Sequence, residues 1–188
     1  MIRKNKHILL FALVALAQLY VPAKMIWNQE GILKDGTEYK FKTAPVDPND
    51  PFRGKYITLT FEENTVTVED EMNWSRGEEV YVLLTTNESG FAEIASVSKQ
   101  SPDNLTDFVK AKVWFVSGEG GSRLTIDYPF NRFYMEESKA YDAEVTYRES
   151  QMDTTKTTYA LVSIKNGDAV LKDVLIDGVP IRELVREQ

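Results

Sequence analysis

Tyr159-Ala-Leu-Val-Ser-Ile-Lys165, Asn166-Gly167 and Asp168-Ala-Val-Leu171 read as two strands joined by a two-residue turn. A type I′ turn needs positive φ at both central residues, and Asn-Gly is the pair that adopts it most readily. This is the strongest local signal in the chain, and it sets the class: an antiparallel β domain. Working outward, the same alternation recurs. Thr37 to Thr43 places Tyr39 and Phe41 on one face. Lys55 to Phe61 places Ile57, Leu59 and Phe61 on one face and Tyr56 on the other. Glu79–Thr86 and Phe91–Ser98 flank the four-residue loop Asn87-Glu-Ser-Gly90. Asp107–Val116 and Ser122–Asp127 flank a glycine-rich turn. Thr65 to Val68 also alternates.

One segment breaks the two-residue period. Glu136 to Arg148 holds helix formers, acids in its first turn and Arg148 in its last, with Ala140, Ala143 and Tyr147 on one face. It reads as a single helix inserted in the β domain. The fold expected is therefore mainly β, barrel- or sandwich-like, with one inserted α-helix and a transmembrane helix before it.

That preceding helix is the other plain signal. Arg3, Lys4 and Lys6 come first, then an unbroken apolar run from Ile8 to Leu16, and apolar character resumes after Gln18 as far as Trp27. A helix over Ile8–Ile26 is about 28 Å long, close to the thickness of a bilayer's hydrocarbon core. Lys24 can snorkel and Trp27 suits the interface. The rival is a cleaved signal peptide ending at Ala15-Leu16-Ala17; a buried soluble helix is the third reading. The expected organisation is a cytoplasmic tail (1–7), a signal-anchor (8–27), a linker (28–36) and an extracytoplasmic β-rich domain (37–188). The basic start stays cytoplasmic and the rest is exported.

Composition narrows the chemistry. The chain has 188 residues, net charge −7, no Cys, and one His, which is His7. Disulfides, Cys nucleophiles, His triads and His-ligated metals are thereby removed from the exported part. The acidic balance argues against nucleic acid. No cofactor and no metal site is expected. Asp47-x-Asn49-Asp50 and Glu69-Asp-Glu71 supply hard oxygens, but neither has the spacing of a calcium loop. Catalysis would need paired carboxylates, a Ser-Lys dyad or a Tyr. Ser96, Ser98 and Lys99 read as a solvated strand face rather than a dyad.

The most distinctive stretch is Ala44-Pro-Val-Asp47-Pro-Asn-Asp50-Pro-Phe-Arg53-Gly54-Lys55-Tyr56-Ile-Thr-Leu59-Thr-Phe61. Its prolines stiffen a loop, its acids can cap backbone amides, and Arg53 can pair with Asp47 or Asp50. The simplest reading is a fold-determining corner, with a binding site second. Arg132-Phe133-Tyr134, preceded by Tyr128 and Phe130, suits a ligand groove or partner surface, with core packing as the simpler reading. Trp74 and Trp114 read as core anchors rather than as carbohydrate platforms. The candidate binding residues are Asp47, Asp50, Arg53, Gly54, Tyr56, Arg132, Tyr134 and Glu137.

These stretches resemble the GDYXXLXY family of bacterial membrane-anchored proteins. Gly54, Tyr56 and Leu59 match the motif, while Lys55 stands where the family has Asp and Phe61 where it has Tyr. Asn131 to Glu137 is similar to the family's aromatic segment before an acidic helix start. Leu171 to Gly178 is similar to its C-terminal strand and Asp-Gly turn. The resemblance implies one transmembrane segment, an extracytoplasmic domain and a multi-span membrane protein as partner, and it implies no reaction. The expected function is a membrane-anchored binding or accessory module. An envelope hydrolase with carboxylate or Ser/Lys chemistry is the alternative, and a structural spacer is a third.

Overall fold

The computed structural model describes residues 2–45, 56–68, 73–102, 107–118 and 122–185, with side chains from Lys6 onward. Helix α1 (Ile2–Asp35) leads directly into strand β1 (Thr37–Ala44). Strands β2 (Tyr56–Thr58), β3 (Thr60–Phe61), β4 (Thr65–Thr67), β5 (Glu79–Thr86) and β6 (Ala92–Ser98) follow. Next come β7 (Phe108–Ser117), β8 (Arg123–Asp127), β9 (Arg132–Tyr134) and helix α2 (Glu137–Met152). Strands β10 (Thr158–Lys165), β11 (Asp168–Ile176) and β12 (Val179–Pro180) and the short helix α3 (Ile181–Leu184) complete the chain.

Every named strand pairing is antiparallel. One five-stranded sheet has the order β12-β11-β10-β1-β3, a second has β4-β8-β7-β5-β6, and β2 pairs with β9. Together they make a nearly closed, barrel-like sheet. The expected mainly antiparallel β class with a long apolar helix in front holds.

The Asn166-Gly167 turn has φ 53° and 88° at its two residues, as the type I′ reading requires. It also helps close the barrel. The Lys110 amide donates to the Gly167 carbonyl at 2.9 Å, so the tip of the β10–β11 hairpin is bonded to β7 in the other sheet. A Cβ at Gly167 would stand 2.5 Å from Phe108 Cε2. Turn conformation and close approach thus both demand glycine here. The second strand of this hairpin runs to Ile176, five residues beyond the reach of its clear alternation.

On the opposite side, the chain itself passes between sheets. The expected single strand over Lys55–Phe61 breaks at Leu59: Tyr56–Thr58 pairs with β9, and Thr60–Phe61 pairs with β1. Leu59 bridges the step by donating its amide to the Asn131 carbonyl at 2.9 Å. Ile57, Leu59 and Phe61 all still face inward and are buried, so the face assignment holds although the strand changes partner.

Four aromatic side chains fill the core beneath this step. Phe41, Phe61, Tyr128 and Phe130 touch one another in every pairing, with ring centroids between 4.9 Å (Phe41–Phe130) and 5.8 Å (Phe61–Tyr128). Such pairs add about 0.5–1.5 kcal/mol each beyond burial alone. The buried Tyr128 hydroxyl is satisfied by donating to the Glu63 carbonyl at 2.8 Å.

Helix α2 buries Ala140, Ala143 and Tyr147, the face expected from sequence. It continues past Arg148 to Met152, so Arg148 is not in its last turn, which holds no base. A chain of hydroxyl contacts pins it to the sheet. Gln151 Nε2 donates to Thr43 Oγ1 at 2.9 Å, and Thr43 Oγ1 donates to the Thr158 carbonyl at 3.0 Å. Thr158 Oγ1 donates to Ser150 Oγ at 2.9 Å, and Ser150 Oγ donates to the Tyr147 carbonyl at 2.7 Å.

Helix α1 has 34 residues, about 50 Å at the helical rise. Its apolar side chains from Ile8 to Trp27 are exposed, and it is long and apolar enough to cross a membrane. The helix runs on through 28–35, the segment read as linker, and Ile32 is buried against the β domain. Gly36 makes the join. Its amide donates to the Ile32 carbonyl at 2.9 Å, and a Cβ there would meet that same oxygen at 2.5 Å. Asp35 pairs with Lys165 at 3.0 Å, and Glu38 pairs with Lys172, on either side of the junction.

Two stability tests follow from this architecture. Gly167→Ala should destabilise the domain by about 1–3 kcal/mol in urea unfolding, through backbone strain and the Phe108 contact. The second concerns Tyr147. Burial pushes its pKa up to about 12, against a smaller opposing pull from Thr43, and its buried hydroxyl lacks a hydrogen bond of full geometry. The unfolded chain releases this proton near the ordinary value of 10.0, while the folded chain keeps it to about 12. The stabilising difference is complete below pH 10.0 and is lost as pH rises through about 12. Tyr147→Phe should leave the Tm at pH 7 unchanged or slightly raised, and should flatten its decline between the unfolded value of 10.0 and the folded value of about 12.

Candidate functional site

The outer surface over the step between sheets carries an open groove of about 480 Å³, within the size range of small-ligand sites. Its position follows from the strand register. Thr58 and Thr60 face outward because Ile57, Leu59 and Phe61 face in. Thr125 and Asp127 of β8 face outward because Leu124 and Ile126 are buried. Asn64, Asn131 and Arg132 complete the polar lining, with Phe61 and Tyr128 below. Asn131 does two tasks: its carbonyl accepts from Leu59, and its Nδ2 donates to Asp127 Oδ1 at 3.0 Å.

The aromatic wall of the groove is Trp114, and a β-bulge puts it there. In the β7–β8 ladder Val113 pairs with Ile126 and Phe115 pairs with Thr125, leaving Trp114 as one unpaired extra residue. Bulges of this kind re-aim side chains and recur beside functional sites. The result is two consecutive outward aromatics, Trp114 at 55 % and Phe115 at 56 % exposure. The expectation that Trp114 anchors the core is corrected: the extra residue turns it out of the barrel. The Arg76 guanidinium lies 4.7 Å from the Trp114 ring centre and holds the indole by a cation–π contact. Trp74 meets its expectation better, being half-buried and packed on the core, with Lys99 Nζ 4.8 Å from its ring.

Three of the residues singled out from sequence come together beside the groove. Tyr56 pairs in register with Tyr134, and Thr58 with Arg132, so all four project from the same outer face. The Tyr56 and Tyr134 rings are 5.3 Å apart, and the Arg132 guanidinium lies 5.1 Å from the Tyr56 ring. Arg132 is raised above its ordinary pKa, first by a hydrogen bond with the Tyr134 side chain, then by Tyr56 and more weakly by Asp127. It is a fixed, permanently charged donor at the groove's edge. Tyr134 is 61 % exposed. Glu137 is the first helical residue of α2, where its carboxylate complements the helix dipole. Asp47, Asp50, Arg53 and Gly54 lie outside the described residues, as does Glu69-Asp-Glu71. The aromatic stretch thus divides: Tyr128, Phe130 and Phe133 are core, while Arg132 and Tyr134 are surface.

Trp114, Asp127 and Asn131 were not among the residues chosen from sequence. In the sequence Asp127 is simply the end of a strand. Trp114 stands in the apolar run Val113-Trp-Phe-Val116, where no polar residue marks which side chain faces outward. Lys99 is engaged with Glu78 at 2.7 Å and with the Asn73 carbonyl at 2.8 Å, and Ser98 Oγ accepts from the Gln100 amide. Among the described residues no group of three or more His, Asp or Glu stands close enough to hold a metal ion.

A family model described as GDYXXLXY protein matches residues 18–174, and the chain belongs to that family, whose function is unknown. No curated protein and no solved structure matches the chain.

The bulge account makes a direct prediction. Deleting Trp114 restores an uninterrupted two-residue period through β7, with Phe115 outward and Val116 inward. The deletion variant should fold cooperatively with stability within about 2 kcal/mol of the parent by urea unfolding, since no core side chain is lost. Loss of cooperative unfolding would show instead that the barrel depends on the bulge.

Proposed function

We propose that this protein is a membrane-anchored accessory module. Its β domain lies outside the cytoplasm, binds through the groove and the adjoining Tyr56–Arg132–Tyr134 face, and acts with another membrane protein. The observation that carries the reading is the exposed apolar helix that runs without interruption into a β domain with an open groove. Its continuity past Ala17 favours a retained anchor over a cleaved leader. Arg3, Lys4 and Lys6 before the apolar run favour a cytoplasmic start. Asp47, Asp50, Arg53 and Gly54, which precede Tyr56 in the chain, stay in the proposed binding set with Glu137.

An envelope hydrolase is the weaker reading. Asp127 is the one carboxylate in the groove among the described residues, where a glycosidase needs two. Lys99 is already committed to Glu78 and the Asn73 carbonyl rather than placed to activate a serine.

The test is photo-crosslinking in native membranes, with a photoreactive amino acid at Tyr134 and capture through a C-terminal tag. A discrete membrane-protein adduct, reduced by Arg132→Glu, is the expected result. The mass of the captured chain should include residues 1–17. Absence of any adduct, with the chain intact and folded, would count against the accessory role. A mass beginning at Gln18 would count against the retained anchor.

A further inference from the structure

The ligand class can be argued from the groove itself. A flat indole, 55 % exposed, is placed in solvent by an inserted residue and braced by Arg76. An exposed Trp beside a mainly polar rim, above a floor of Phe61 and Tyr128, suits a ligand that has an apolar face and polar edges. The polar side chains that line the groove with it are Thr58, Thr60, Asn64, Thr125, Asp127, Asn131 and Arg132. They offer donors and acceptors in a mixed set: hydroxyls, two amides, one carboxylate and one guanidinium. A ligand matching that mixture must itself carry many groups that both donate and accept. Phosphate-rich ligands are disfavoured by Asp127 and by the acidic domain; wholly apolar ligands would strand these polar groups. A pyranose ring fits both demands, with C–H groups on its face and hydroxyls round its rim.

We infer that the groove is a saccharide site, in which a pyranose stacks on Trp114 and its rim hydroxyls pair with Asp127, Asn131 and Arg132. This rests on the reading of the domain as a binding module and names the ligand class of that site. Asn131 Nδ2 holds Asp127 Oδ1, so the acceptor is positioned before the ligand arrives. Arg132 is positioned likewise by Tyr56 and Tyr134. Such preorganisation lowers the ordering cost of binding.

The experiment uses the full chain in lipid nanodiscs, titrated calorimetrically with chitotetraose, maltotetraose and tetragalacturonate. At least one should bind with a submillimolar Kd, and the difference among the three separates neutral, amide-bearing and acidic sugars. Trp114→Ala should weaken that binding about ten-fold or more, and Trp114→Phe should restore part of it. Asp127→Asn should weaken it as well, while Trp74→Phe should leave it unchanged. Thermal unfolding of each variant separates lost binding from lost fold. Failure of all three sugars to bind the folded chain would overturn the inference, as would undiminished binding by Trp114→Ala. Capture of a membrane partner without sugar binding would refute the saccharide site and leave the accessory role standing. Sugar binding without a partner would do the reverse.

Discussion

The contact of Phe41, Phe61, Tyr128 and Phe130 is the constraint on which the rest of the domain depends. Phe41 and Phe61 belong to neighbouring strands of one sheet, whereas Tyr128 and Phe130 follow β8 of the other. Their mutual packing joins the two sheets where the backbone ladder is interrupted. The interruption is unavoidable, because a chain that pairs with β9 up to Thr58 and with β1 from Thr60 must release one partner before it takes the next. Backbone hydrogen bonds alone do not hold such a step; side-chain burial does. The groove is the outer side of the same step. Phe61 and Tyr128 are at once core residues and its floor, so the site is as rigid as the core beneath it.

Much of this architecture was legible in the chain. The Asn166-Gly167 turn, the inward set Ile57, Leu59 and Phe61, and the buried face of α2 all rest on local rules: turn sterics, a period of two, a period of 3.6. What was not legible depends on partners distant in sequence. Nothing within Lys55–Phe61 tells that its halves pair with different strands, since both halves keep the same alternation. The outward turn of Trp114 depends on the register of β7 against β8. A one-residue slip moves a side chain to the other face, so a large aromatic in an apolar run is assigned to the core by default. Arg132 and Tyr134 stand out because they lie in a short aromatic stretch and because Arg and Tyr are favoured at interaction surfaces. Asp127 and Asn131 were missed because a strand-ending acid and a turn asparagine are ordinary in any β protein.

The connection between α1 and β1 decides how the domain is presented. A flexible linker would let the groove sample many orientations. Here the helix continues to Asp35, buries Ile32, and passes to the strand through a single Gly36 whose missing side chain permits the approach. Two ion pairs flank the join. Exposed pairs of this kind are weak individually; the buried Ile32 and the tight backbone at Gly36 are what limit bending. The helix thus meets the barrel at a packed join, with Ile32 buried and Gly36 in close backbone contact.

Charge adds to the same constraint. Arg3, Lys4 and Lys6 lie before the apolar run, so the remainder of the chain carries −10 against the −7 of the whole. With α1 in a bilayer, as proposed, a domain of that charge is repelled by anionic headgroups. Repulsion acts within about a Debye length, roughly 8 Å at physiological salt. The turn from Asn28 to Gly31, before Ile32 meets the barrel, spans about 6 Å and so offsets only part of that repulsion. In the binding role proposed for it, the polar groove with Arg132 at its edge would select a ligand by hydrogen bonding and stacking instead of by attraction to the membrane surface.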